Sequence, residues 1–251
     1  MKAFYLIYLL FIYPSLLYAE VVTDGSLGAR VELTGKNFEI TPELGKQMDH
    51  NLFHSFDRFS LQAGESATFS GPSQIQNIIA RVTGGSPSSI DGTLRSTIPE
   101  ADLYLINPYG ILFGKDAKLD LQGGFHATTA DELRFQDGLV FNAHTPQQSA
   151  LLSVAPIQAF GFLTDTPAAI QLQDSYLNVL DTHTLSLIGG DLNLKGDFLK
   201  DTQGERVANG TVHVFKFPTY AYTAELKTTA GRIQSCQVLP VTAKSFLQIQ
   251  I

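Results

Sequence analysis

Beyond residue 60 the chain is built of short apolar runs, each closed by a turn residue. The runs are "SATFS" (66–70), "NIIARVTG" (77–84), "DLYLIN" (102–107), "ILFG" (111–114), "KLDLQG" (118–123), "ALLSV" (150–154), "AFGFL" (159–163), "AIQLQ" (169–173), "TLSLI" (184–188) and "DLNL" (191–194). Gly, Asn, Asp, Ser or Pro stands at nearly every junction, and helical spacing of apolar residues is scarce after the first twenty positions. Many short strands separated by turn signals predict an all-β chain.

Internal repetition separates a sandwich from a solenoid. "IQLQDSYL" (170–177) aligns without a gap on "LNLKGDFL" (192–199), so Ile170 matches Leu192, Leu172 matches Leu194 and Leu177 matches Leu199. "LDLQGGF" (119–125) carries the same template as "LNLKGDF" (192–198). An interval near twenty residues suits one coil of a parallel β-helix, whose inward apolar residues stack coil on coil. In that frame the tetrapeptide Asn107-Pro108-Tyr109-Gly110, set between two apolar runs, is a corner. Asn bonds the backbone two residues on, Pro presets φ at the second position, and Gly suits the fourth.

Residues 21–40, "VVTDGSLGARVELTGKNFEI", alternate apolar and polar residues and are expected to cap the N-terminal end of the stack. After Lys200 the coil template is lost. "TVHVFKFPTYAYTAEL" (211–226) reads as a hairpin, and beyond "AGRIQ" the pattern degrades. That tail fits either a short exported module or the remnant of a longer reading frame. The expected division is therefore 1–19, 20–200 for the solenoid, and 201–251 for an atypical hairpin and tail.

The apolar content also has an N-terminal source. "MKAFYLIYLLFIYPSLLYAE" places one Lys before an apolar run, a break at Pro14 and Ser15, and a small residue at Ala19. That is the form of a secretory signal peptide, too short and wrongly flanked for a membrane span, and no second stretch is long enough to be one. Charged residues are only 16% and net charge is −7, which disfavours nucleic acid and anionic membranes as partners. Cys236 is the one cysteine, so no intrachain disulfide can form and the exported chain must rely on its core and hydrogen bonds.

Candidate chemistry is thin. His50 and His54 lie four apart but in no helical context, and none of the six histidines has a metal-ligand spacing with another His or Cys. Asp91, Asp102, Asp116 and Asp120 are scattered among turns, unlike the gathered carboxylates of β-helical polysaccharide lyases and hydrolases. No catalytic residue, cofactor or metal is expected, and the chain reads as a non-enzyme.

Four separated blocks, "HNLFHSFDRFSL" (50–61), "IQNIIARVTGGSPSSIDGTL" (75–94), "ADLYLINPYGILFG" (101–114) and "AKLDLQGGFHATTAD" (117–131), follow a "DGSLG" start in order. Over roughly residues 20 to 200 they resemble the N-terminal secretion domain of filamentous haemagglutinin-type exoproteins, the two-partner secretion family. The resemblance implies a right-handed parallel β-helix with a cap and small extra-helical sheets. It also implies passage to the periplasm and export through an outer-membrane barrel transporter, whose periplasmic modules recognise the domain. Adhesins and haemolysins are the usual cargo. The family's Asn-Pro-x-Gly motif falls on Asn107, Pro108 and Gly110, with Tyr109 where asparagine is frequent. Its Asn-Leu segment falls on Asn51 and Leu52, with His50 where a fuller motif has proline. A stand-alone adhesin or carbohydrate-binding module taking surface glycans is the alternative, with Phe217, Tyr220 and Tyr222 as candidate contacts. A β-helical lyase or hydrolase is the remaining one.

Overall fold

The computed structural model describes residues 20–195 apart from 150, 176, 181 and 182, together with the backbone of four later strands at 211–216, 221–229, 232–241 and 247–248. Residues 1–19, expected as the signal peptide, lie outside the described residues, as do Phe217 and Tyr220.

The chain winds into a parallel β-solenoid of about six turns. Three sheets form its walls. Sheet A runs through the strands Asn51–Ser60, Asn77–Val82, Asp102–Ile106, Phe125–Thr128, Thr184–Gly189 and Thr211–Lys216, all parallel. Sheet B stacks Asn37–Ile40, Ser66–Phe69, Thr93–Ser96 and Lys118–Asp120. Sheet C stacks Ser88–Ile90, Ile111–Phe113, Ile170–Gln173 and Leu192–Lys195. Between turns the chain passes from A to C to B and back to A.

Alternation along each strand decides what fills the interior. In sheet A, Leu52, Ile78, Leu103, Phe125 and Leu185 are in register and point inward, as do Ala80, Leu105, Ala127 and Leu187 one step on. They meet Phe38, Ala67, Phe69 and Leu94 of sheet B and Ile90, Ile111, Phe113, Ile170 and Leu172 of sheet C in one buried core. Each ladder stacks like residues, so adding a turn extends this core without a new packing solution.

The outward face of sheet A is buried as well. Between Thr128 and Ile170 the chain leaves the solenoid and forms a separate antiparallel sheet, Glu132–Phe135, Val140–Asn142 and Ile157–Gly161. This outer sheet packs Leu133, Phe135, Phe141, Ile157 and Phe160 against Phe53, Ile79, Tyr104, Ile106 and Ile188 in a second buried cluster. Phe53 lies edge-on to Phe141, with centroids 5.0 Å apart.

The N-terminal edge of sheet A is covered. The long Asn51–Ser60 strand pairs antiparallel with Glu20–Thr23 along one half and with Gly45–Met48 along the other. An exposed strand edge invites pairing with other chains, and two antiparallel strands close this one.

Three expectations are amended. Residues 170–173 and 192–195 stack as aligned, Ile170 on Leu192 and Leu172 on Leu194. Leu119, however, belongs to sheet B opposite Leu94, not to the ladder of Leu192. The shared template there reflects a common local need, a strand with its leucine half-buried. "ALLSV" forms no strand: Leu151 is 68% exposed and Val154 is 56% exposed. Residues 211–226 do not close on themselves as a hairpin. Thr211–Lys216 continues sheet A in parallel with Thr184–Gly189, and Ala221–Thr229 instead pairs antiparallel with Arg232–Val241.

Candidate functional site

Asn107 follows the Asp102–Ile106 strand and turns the chain from sheet A to sheet C. Its side chain is wholly buried. Nδ2 donates to the Ser86 carbonyl and to Ser88 Oγ, both at 3.0 Å, reaching back to the preceding turn. Oδ1 accepts the Tyr109 N–H at 2.9 Å, and the Gly110 N–H closes the corner on the Asn107 carbonyl at 3.1 Å. Gly110 has φ +117°, a conformation that side chains rarely adopt. Pro108 and Tyr109 are half-buried, and the Tyr109 ring stacks on His144 with centroids 5.6 Å apart.

Asn51 opens its strand at the other end of sheet A and is also buried. Its Nδ2 donates to the carbonyls of Ser153 and Ala155, both at 3.1 Å, and its Oδ1 accepts from Asn77 Nδ2 at 2.9 Å. Leu52 is an interior residue in line with Ile78. The two motif asparagines therefore occupy opposite ends of sheet-A strands. Both have each amide donor and the carbonyl oxygen engaged within the fold.

Two polar clusters on the outward face of sheet A have no counterpart among the motif residues. The first centres on Arg81, which is 1% exposed. Nε donates to Ser55 Oγ at 2.7 Å, Nη1 to the Asn142 carbonyl at 2.6 Å and Nη2 to Ser26 Oγ at 3.1 Å, and the guanidinium lies 4.0 Å over the Phe141 ring. Asp24 accepts from Ser55 Oγ at 2.6 Å and Thr83 Oγ1 at 2.9 Å. Burial pushes the Arg81 pKa down to about 10, and the Asp24 charge opposes it. Burial would raise the Asp24 carboxyl, but hydrogen bonds from Ser55, Ser26 and Thr83 outweigh it and hold it below the ordinary carboxylate range. A lone charge inside the apolar run "NIIARV" was the sequence signal for this cluster.

In the second cluster, His126 Nδ1 lies 3.0 Å from Ser186 Oγ, its Nε2 lies 3.7 Å from the Asp102 carboxylate, and its ring stacks on Tyr104 at 4.3 Å. Asp102 also accepts the Gly124 N–H at 2.6 Å. Burial raises its carboxyl, but the His126 contact and that N–H prevail and lower it, while burial pushes Tyr104 up. Ser186, His126 and Tyr104 are each buried and in one ladder across three strands, so the group ties turns together.

The remaining chemistry-bearing residues are dispersed. His50 bonds the Gln74 carbonyl through Nδ1, whereas His54 points into the solenoid against Phe56 and Phe69. Asp91 accepts the Asp116 N–H, and Asp120 pairs with Arg95. Among the described residues no three His, Cys, Asp or Glu side chains gather as a metal site would need. An open cleft of about 480 Å³ lies between the cap and the outer sheet's loop, lined by Leu27, Lys46, Met48, Pro146, Leu151 and Leu152.

The class of fold is a capped parallel β-helix that carries an antiparallel sheet on one wall, with Asn51 and Asn107 buried at the ends of its strands. A family model, the TPS secretion domain, matches residues 19–233, and the chain belongs to this family of two-partner secretion N-terminal domains. The match runs past Lys200 and takes in the Thr211–Lys216 strand. Among curated proteins none matches the chain. Membership makes this a secretion module of an exported protein that passes through the periplasm, with a TPS transporter as partner. The TPS domain is a secretion module and not a known enzymatic family. No helix among the described residues is long and apolar enough to cross a membrane.

Proposed function

We propose that the transporter's periplasmic modules read this module as an extended chain, before the solenoid forms, and that folding at the cell surface withdraws the recognition groups. Asn51, Leu52, Asn107, Pro108 and Gly110 are the residues assigned to recognition. The observation that carries the reading is the state of the two asparagines: buried, with every amide group bonded within the chain. A partner reaching for those groups has nothing to bond in the folded domain. In an extended segment the same side chains are free, and the backbone can add as a strand to a sheet edge of the partner, with main-chain bonds giving affinity and side-chain pockets giving specificity. The leader at residues 1–19 delivers the chain to the periplasm, and burial of the solenoid core outside the cell makes passage one-way.

The test compares two states of one protein. Unfolded chain diluted from denaturant into the transporter's isolated periplasmic modules should be captured, and chain folded beforehand should not. Equal capture of the folded domain would sink the proposal. Adhesion or haemagglutination by residues 1–251 rests on the family's usual cargo. The cleft beside the cap offers no aromatic face for a sugar ring, and a glycan array probed with the folded domain decides that reading.

A further inference from the structure

The cap, the outer sheet and the first sheet-A strand all reach one charged residue, Arg81. Arg81 takes Ser55 from the first sheet-A strand, Ser26 from the cap and the Asn142 carbonyl from the outer sheet. Asp24 of the cap bonds Ser55 and Thr83, and its own N–H donates to the Ser55 carbonyl at 3.1 Å. The apolar contacts follow the same plan, since Leu27 and Met48 pack against the cluster that holds Phe135, Phe141 and Phe160.

Consider docking either piece alone. If the outer sheet covers Arg81 while the cap is undocked, the guanidinium loses water and lacks both Ser26 and the nearby Asp24 charge. If the cap docks alone, Arg81 lacks the Asn142 carbonyl and the Phe141 face. A buried charge left without its partners is strongly unfavourable, and a half-satisfied polar network is worse than none. Water can solvate Arg81 when both pieces are away, and the network satisfies it when both are present. The intermediate arrangements are the costly ones.

We infer that the N-terminal cap and the outer sheet open and close as one unit latched on Arg81, so the N-terminal edge of the solenoid is sealed only when residues 132–161 have docked. The sequence separations enforce the delay: Arg81 reaches 55 residues back and 61 forward, and Asn51 bonds carbonyls 102 and 104 residues ahead. Until then the Asn51–Ser60 strand, which the Glu20–Thr23 strand covers, keeps an edge open to strand addition. The latch is a property of folding and stands whether or not the transporter reads the extended chain.

Native-state hydrogen exchange on the full chain tests it without any export readout. The reporters are the Thr23 and Asp24 amides in the cap and those of Leu133 and Ala159 in the outer sheet. Phe141→Ala, a change in the outer-sheet strand that covers Arg81, should speed exchange at both sets by a similar factor, about tenfold. Arg81→Met keeps the side chain's length without a charge to satisfy, and in that background Phe141→Ala should speed the outer sheet alone. Faster exchange confined to residues 132–161 in the Phe141→Ala chain that retains Arg81 would overturn the latch. That single comparison decides the matter even if the double variant does not fold.

Discussion

The two faces of sheet A are equally dry and are held together in different ways. Inward, Leu52, Ile78, Leu103, Phe125 and Leu185 stack as a ladder of like side chains. Each meets residues from its own turn or the next, so a defect stays local. Outward, Arg81, Asn51 and Tyr104 are buried by segments that arrive from far along the chain. The inward face supplies stability in repeated increments, and the outward face supplies uniqueness, because only one arrangement of cap, wall and outer sheet satisfies its polar groups.

The sharpest way to break this contrast is to delete one residue from each face. Arg81→Ala removes three hydrogen bonds and the contact with Phe141, and leaves the half-buried Asp24 without its neighbouring positive charge. We expect a loss of roughly 3–5 kcal/mol in denaturant unfolding, with a transition that separates into two steps. Leu103→Ala opens a cavity in the interior and should cost about 3 kcal/mol while keeping a single transition. The reverse pattern, a single step for Arg81→Ala and two for Leu103→Ala, would show that the outer sheet is an ordinary extension of the core.

His54 is the exception on the inward face and gives a pH-dependent version of the contrast. It stands in line with Ala80 and Leu105, wholly buried, against Phe56 and Phe69. Neither ring nitrogen makes a hydrogen bond of good geometry, although the Leu44 backbone compensates in part. Burial pushes its pKa down to about 4. The unfolded chain, with an ordinary histidine near 6.5, binds the proton first. Stability is therefore complete above pH 6.5 and falls as pH drops through the window from 6.5 to 4, by roughly 3 kcal/mol in all. Asp24 and Asp102, both held low, lose their contributions at still lower pH. Denaturant midpoints measured from pH 7.5 to 4.5 should show the slope in the parent chain and lose most of it in His54→Leu. An unchanged slope in that variant would show that His54 is not the source of the acid sensitivity.

Much of the inward face was legible in the sequence, because a repeated ladder leaves a repeated pattern. The alignment of 170–177 on 192–199 is the register found, residue for residue, through Gln173 and Lys195. The corner at Asn107 was legible for the same kind of reason, since its chemistry is local: three of its partners lie within the turn or one turn back. The outward face was not. "ALLSV" looks like a strand by composition, yet Ser153 and Ala155 present carbonyls to Asn51 from irregular chain. Nothing near Asn51 in sequence signals a partner a hundred residues away. His126 likewise looks like an ordinary strand residue until Tyr104 and Ser186 are brought beside it by sheet register.

The corner lets the contrast be tested at lower energy. Asn107→Ala leaves the Ser86 carbonyl, Ser88 Oγ and the Tyr109 N–H without their partner in a buried site, at a cost of about 2 kcal/mol. Pro108→Ala at the half-buried second position should cost 1 kcal/mol or less, chiefly through a freer unfolded chain. Both stability and the secreted fraction should be measured with the transporter present. If Asn107 matters only for folding, its export defect will match that of an inward variant of equal destabilisation. A larger export defect supports reading of the extended chain.

The smallest effect falls where the two regions touch at the corner. Tyr109 packs its ring on His144 of the outer sheet's loop, while its own N–H belongs to the Asn107 turn. Tyr109→Asn keeps a polar residue at the third position of the corner. It keeps the backbone bond, since the N–H remains, and removes only the ring contact. A half-exposed aromatic pair contributes about 0.5–1 kcal/mol, so the unfolding midpoint should shift slightly. Because His144 belongs to the outer-sheet region, the loss should appear there, as faster amide exchange around residues 142–145, and not at Ser88 or Ile111 on the solenoid side. Exchange rising equally on both sides would mean that the corner and the outer sheet form one cooperative unit, and the division between the two faces of sheet A would not extend to this end of the molecule.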